Sequence, residues 1–275
     1  MNNNEIKALV SLLEDDDFEI RSHVEQKIMA MGEVMIPFLE TEWESNFNAN
    51  VQKRIEDLLH NLQFNLLKTR LREWLDNESD DLLKGIWLVA TYQYPDLPLA
   101  RIRKEVEKIY YEVWMSHRTY ASPFDQIKNL NNVFFGKFNF VANTQNYHAP
   151  SNSMINNVLE ARRGNPISLC TVYMLVANQL RMPVYGVNLP NLFVLTYKSP
   201  DTQFYINVFN KGIVFAKADI DQYVAQLNLA PSDTFYEPCT HIDIIRRVLR
   251  NLSISFEKLG EAHRVDEIRQ LLDIF

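Results

Sequence analysis

The stretch "RRGNPISLCTVYMLVANQL", residues 162–180, is a Gly-Xaa-Pro turn followed by an apolar helical run, with Cys170 near its start. A thiol in the opening turn of a helix sits near the positive end of the helix dipole, which favours the thiolate. Directly after this helix the period changes from 3.6 to 2. "PVYGVNL" (183–189), "NLFVLTYK" (191–198) and "FYINVFNKGIVF" (204–215) read as three strands. "SPDT" and "NKG" supply turn chemistry between and within them. Phe193, Leu195 and Tyr197 share one face of the middle strand, and Leu192, Val194 and Thr196 the other. A buried helix against a small antiparallel sheet, flanked by helical sequence on both sides, predicts an α+β fold that is predominantly helical.

On the N-terminal side, residues 5–62 read as helices throughout. Ile20, Val24, Ile28 and Met31 follow one helical face, opened by the N-cap chemistry of Asp15–Asp17 and closed by Gly32. A shift of about 31 residues superposes Ile20 on Val51, Val24 on Ile55 and Ile28 on Leu59, which suggests a pair of helical repeats. Residues 64–75, 80–93 and 99–115 read as three more helices, broken by "YPDLP" at 94–98. Trp74, Trp87, Tyr92, Tyr110 and Trp114 fall at helical positions and read as core. Residues 118–153 are polar and asparagine-rich and read as one long loop. Residues 154–163 form a short helix ending at Arg162, Arg163 and Gly164.

On the C-terminal side, residues 219–228 read as a helix. The last 36 residues carry two apolar stripes separated by Gly260, the pattern of a helical hairpin. One hairpin cannot bury both its faces alone, so it should dock on the preceding domain or on a partner.

The bulk numbers exclude several classes. The chain has 275 residues, 47% of them apolar, and a net charge of -7. An acidic protein has no general attraction for phosphate backbones, so nucleic acid is not an expected partner. "MNNNEIKALV" lacks the basic and apolar regions of a signal peptide, and every apolar stretch is far short of the ~20 residues that span a membrane. Two cysteines, Cys170 and Cys239, make no disulfide framework and read as reduced thiols of a cytoplasmic protein. "CTH" at 239–241 has too few ligands for a metal, and the P-loop spacing is absent, so neither metal nor cofactor is expected.

The wording of the central third is more specific. "WLVATYQYPDLPLARI", the long block "LNNVFFGKFNFVANTQNYHAPSNSMINNVLEARRGNPISLCTVYMLVANQLRMPVYGVNLPNLFVLTY" and "INVFNKG" together resemble the bacterial SirB-type transglutaminase-like core family. The resemblance covers roughly residues 80–220. It implies a papain-like arrangement, a transglutaminase-like core with leading helices over 64–238, and a TPR-like hairpin over 239–275; the repeated helices over 1–63 separately resemble HEAT-type repeats.

The same resemblance assigns a site and exposes its losses. Such a site needs a thiolate, a histidine to carry the proton, and an acid to orient that histidine. The family pattern places these at Cys170, at Leu192 and at Asn207. Here the thiol is present, leucine replaces the imidazole, and an amide replaces the carboxylate. Leucine moves no proton, so the positions read as vestigial and no catalytic residue is expected. A helix dipole contributes only about 0.3–1 kcal/mol, less than one pKa unit, and desolvation beside Leu192 can exceed it. Cys170 should therefore be a protonated, buried residue. His148, in the asparagine-rich loop, is the first candidate for a replacement base; His23, His60, His117 and His263 read as surface. Arg162, Arg163 and Asn191 are candidates for the rim of a pocket.

Three functions remain open on these grounds. The first is a non-catalytic scaffold that meets another protein through its helical repeats. The second is a cysteine-dependent acyl transferase or amide hydrolase using Cys170, Asn207 and His148. The third is a small-ligand or peptide-binding pocket lined by Cys170, Leu192 and Asn207.

Overall fold

A computed structural model describes residues 3–116 and 120–275. The chain forms two compact units, residues 1–72 and 73–275. The fold is α+β and predominantly helical.

The first unit is all helical. It contains α1 (Asn3–Ser11), α2 (Phe18–Met31), α3 (Ile36–Ser45) and the first part of α4 (Ala49–Asn77). Asp17 caps α2 by accepting from the Glu19 amide at 2.8 Å, and Gly32 ends it at φ 70°. Leu13, Val24, Ile28, Leu39, Val51 and Ile55 are buried together. Of the superposed pairs, Val24 and Ile55 are both buried, but Ile20 is exposed where Val51 is buried. Arg54 reaches the loop after α1, donating to the Leu13 carbonyl at 2.8 Å. α4 runs without a break through residue 63, because no glycine or proline interrupts 49–77; the sequence reading had split it.

The second unit holds α5 (Leu82–Thr91), α6 (Leu99–Ser116), α7 (Pro123–Asn131), α8 (Ile155–Ala161), α9 (Pro166–Gln179), α10 (Lys217–Gln226), α11 (His241–Leu259) and α12 (Ala262–Leu272). β1 (Val141–Ala142) and β2 (Arg163–Gly164) pair in parallel. β3 (Val184–Leu189), β4 (Leu192–Ser199), β5 (Thr202–Asn207) and β6 (Ile213–Phe215) form an antiparallel sheet in sequence order. Leu189 pairs with Leu192 across a two-residue turn in which Asn191 takes φ 58°, a value asparagine tolerates.

Alternation divides the sheet. Val187, Leu189, Val194 and Tyr205 pack with Ile220 and Val224 of α10. The opposite face carries Gly186, Phe193 and Leu195. α9 packs on β3 and β4, and Ile244 of α11 comes within 3.3 Å of the space a Gly186 side chain would fill. α11 and α12 form the expected hairpin, and α11 docks on α5, α9 and β3. Trp74 lies fully buried beside Gly85, its indole donating to the Asp81 carbonyl at 2.9 Å.

Three expectations are corrected. The stretch 118–153 is not one loop: Ser122 caps α7, Pro123 opens it, and Ile127 and Leu130 face the core. "FYINVFNKGIVF" is two strands, because Asn207 caps a 3-10 turn and Lys211 and Gly212 follow with φ 53° and 71°. Trp114 is exposed, not core. His117 lies outside the described residues.

Gly212 tests this packing. A Cβ there would lie 2.1 Å from Asn131 Oδ1, which accepts a hydrogen bond from the buried Tyr173 hydroxyl at 2.9 Å, while Asn131 Nδ2 donates to the Gly212 carbonyl at 3.0 Å. Gly212→Ala therefore meets both a left-handed backbone and a clash, at an expected cost of at least about 2 kcal/mol. Gly136 has nothing within 4 Å of its would-be Cβ. Gly136→Ala should stay within about 0.5 kcal/mol of wild type in urea unfolding. Equal midpoints for the two variants would refute the account.

Candidate functional site

The site begins at the N-terminus of α9. Asn165 caps the helix by accepting from the Ser168 amide at 3.0 Å, and Pro166 is its first residue. Cys170 is therefore the fifth helical residue, at the start of the second turn. The dipole effect falls off within the first turn, so it acts on this thiol less than the sequence reading supposed. Residues 166–174 are buried without exception, and Cys170 is 0% exposed.

The thiol donates to the Phe193 carbonyl at 3.7 Å, on β4. Burial pushes its pKa well above the ordinary 9.0, the backbone amide of Val208 pulls it down, and Cys239 pushes it up. No histidine is among these influences. The fold thus brings Cys170 to the backbone beside positions 192 and 207, the two strand positions of the family pattern.

The side chains at those positions are otherwise engaged. Leu192 packs against the cluster of Val187, Leu189, Val194 and Tyr205, on the face that α10 covers. Asn207 accepts from the Asn210 amide at 3.1 Å and so caps the turn after β5. His148 is exposed and rests edge-on against Tyr147, with ring centroids 5.0 Å apart. Tyr147 in turn meets Phe209 edge-on at 6.1 Å. Asn191 is exposed in the β3–β4 turn, where Tyr223 donates to the neighbouring Pro190 carbonyl at 2.7 Å.

The two adjacent arginines have different fates. Arg162 ends α8 in the left-handed conformation, φ 55°. Its guanidinium lies over the Phe138 and Phe140 rings, 5.2 and 5.1 Å from their centroids, and 3.5 Å from Glu105. Its carbonyl accepts from the Val141 amide at 2.9 Å. Arg162 is thus a packing residue. Arg163 is exposed and lines a cleft with Asn143, Asn152 and Asn157. The sequence reading singled out the asparagine-rich loop but not these three amides; their clustering with Ser151 and Ser153 was the available signal.

Cys239, the other thiol, is partly buried just before α11. Burial first, then Asp243, push its pKa from 9.0 up to about 12. Both thiols hold their proton more tightly folded than unfolded. Their contribution to stability is therefore complete below about pH 9 and is lost as pH rises through the folded value. Tyr92 and Tyr173 are displaced in the same direction, chiefly by burial. Urea midpoints should hold up to about pH 9 and fall above it, and Cys239→Ser should make the fall shallower. A midpoint that rises with pH over that window, or an unchanged slope in the variant, would contradict this.

The chain is 31% identical over 186 residues to a UPF0162 protein of Xylella fastidiosa strain Temecula1, which covers 65% of this chain and 66% of that relative. It is 31% identical over 136 residues to the UPF0162 protein YchA of Escherichia coli, covering 48% and 50%. It is 27% identical over 151 residues to F-box only protein 21 of Mus musculus, covering 52% and 23%. The match thus spans just under two thirds of the Xylella relative and half of the Escherichia one. No solved structure matches the chain. The profile of the transglutaminase-like superfamily matches residues 100–250, which hold α9, the sheet and the thiol, and the chain belongs to that superfamily.

Proposed function

We propose that the protein is a non-catalytic cytoplasmic scaffold or interaction protein built on a degenerate, SirB-type transglutaminase-like core. One observation carries this reading: Cys170 is wholly buried, which favours its neutral thiol, and neither of its polar neighbours, the Phe193 carbonyl and the Val208 amide, is a base. A nucleophile needs a base within hydrogen-bond reach and a route for substrate. Leu192 supplies no proton carrier, and Asn207 has its carbonyl oxygen occupied by a turn.

Exposed apolar groups favour protein contacts, since such patches mark interaction sites more often than chance. Tyr111, Trp114 and Met115 lie at i, i+3 and i+4 on α6, and all three are exposed. In the first unit, Phe18, Val34 and Phe47 are exposed, Phe47 by 98%. A groove of about 700 Å³ in that unit is lined by Val10, Pro37 and Phe38 among others. HEAT-like helices at the start and a TPR-like hairpin at the end are the elements through which a protein partner would be held.

The competing reading is a cysteine-dependent acyl transferase or amide hydrolase. It keeps one support, the thiol's place beside the backbone of residues 193 and 208. Alkylation separates the two. In a Cys239→Ser background, iodoacetamide should leave Cys170 unmodified in the native protein at neutral pH, and modify it stoichiometrically in urea. Rapid native modification with an apparent pKa below the free-thiol value of ~8.5 would sink the non-catalytic reading. His148→Ala would then show whether the loop imidazole is the base.

A further inference from the structure

A cleft of about 390 Å³ opens where β1, β2, α8 and the 3-10 turn before α8 meet. Asn143, Ser151, Asn152, Asn157, Glu160 and Arg163 line it. We propose that this cleft binds short peptide ends, with Arg163 taking the terminal carboxylate and the side-chain amides of Asn143 and Asn157 pairing with the peptide link. The proposal does not depend on whether Cys170 reacts.

The cleft is held by a hydrogen-bonded frame. Asn152 is buried, accepts from Asn143 Nδ2 at 2.8 Å, and donates to the carbonyls of Asn146 and Tyr147 at 2.7 and 3.0 Å. Asn157 donates to the Tyr94 hydroxyl at 2.9 Å and accepts from Asn156 at 3.2 Å. The β1–β2 pair fixes the backbone around Arg163, with the Asn143 amide donating to the Gly164 carbonyl at 2.9 Å. Beside the cleft, though not in its lining, three buried polar atoms have no hydrogen-bond partner among the described residues: Ser153 Oγ, Asn156 Oδ1 and Arg162 Nη1.

The chemistry of the lining selects the ligand. Among the described residues the Arg163 side chain has no hydrogen-bond or ion-pair partner, whereas its neighbour Arg162 is engaged by two rings and Glu105. A guanidinium matches a carboxylate with two parallel hydrogen bonds. Asn152 uses both its N–H groups inside the frame, but Asn143 and Asn157 each use one N–H and one carbonyl lone pair there and keep one of each, which matches the C=O and N–H of a peptide link. Glu160 lies in the same cleft, 3.8 Å from Arg101 in an exposed pair. Its charge opposes any anion, and it opposes a phosphate, which carries more than one negative charge, more strongly than a single carboxylate; its own pairing with Arg101 weakens that repulsion. The volume is at the small end of ligand clefts and suits a few residues of chain, not a folded surface.

The test is isothermal titration of the full chain with acetyl-Gly-Gly, with acetyl-Gly-Gly amide, and with free glycine. Acetyl-Gly-Gly should bind with a Kd on the order of 1 mM. The amide should bind at least about tenfold more weakly, because the charge-assisted pair is lost. Arg163→Gln should remove that difference, leave the affinity for the amide unchanged, and melt like wild type, since the side chain is exposed. Equal affinity for acid and amide, or an Arg163→Gln variant that still prefers the acid, would overturn the proposal. So would an absence of heat for acetyl-Gly-Gly at about 10 mM. Glycine binding as tightly as acetyl-Gly-Gly would overturn the peptide class in favour of free amino acids.

Discussion

The second unit depends on one constraint, the burial of α9 on every side. Nine consecutive residues, 166–174, are buried, and 3.6 residues complete a turn, so no face of the helix's first half meets water. α6, α8, α11 and the sheet all pack on it. A helix in that position must be apolar all round, and any polar atom on it must find a partner inside. Thr171 bonds its own Ile167 carbonyl, Tyr173 bonds Asn131, and Cys170 bonds the Phe193 carbonyl. The thiol is one of several polar atoms that the packing satisfies internally. Its raised pKa follows from the same burial that holds the unit together.

Much of this was legible in the sequence. The switch from period 3.6 to period 2 after residue 180 placed α9 and the β3–β4 hairpin, and the apolar stripes around Gly260 placed α11 and α12. The failures have physical causes. α7 was hidden in a stretch read by composition; Ser122-Pro123 followed by Ile127 and Leu130 is an ordinary helix start, obscured by the asparagines around it. The break between β5 and β6 needed two successive positive φ values, at Lys211 and Gly212, and lysine gives no warning of one. Trp114 belongs to α6 but faces away from its buried stripe of Ile102, Val106, Ile109 and Val113.

The site was legible as a set of positions, not as a set of contacts. The resemblance to the transglutaminase-like family placed Cys170, Leu192 and Asn207 together, and the fold does bring the thiol to the backbone beside the latter two. What the pattern omits is direction. Leu192 alternates onto the face that α10 covers, and Asn207 turns back to cap its own loop. Loss of a histidine and loss of a carboxylate are usually weighed as lost chemistry. Here each replacement also has a structural task of its own, apolar packing in one case and a turn cap in the other. That makes the present residues suited to a core that holds its shape, and poorly suited to one that must open for a substrate.

The pair Arg162-Arg163 makes the same point at the scale of one peptide bond. As sequence the two are equivalent, two cations at the end of a short helix where the dipole favours positive charge. The left-handed backbone at Arg162 separates them. It turns one side chain onto Phe138 and Phe140 and leaves the other in the β1–β2 pair, at the edge of the polar cleft. A left-handed arginine costs on the order of 1 kcal/mol, and the cation–ring contacts of Arg162 return a similar amount. The conformation is therefore sustained by packing and not by local preference. The freedom of Arg163 is a consequence of the capture of Arg162, so the cleft and the core are two outcomes of a single backbone choice.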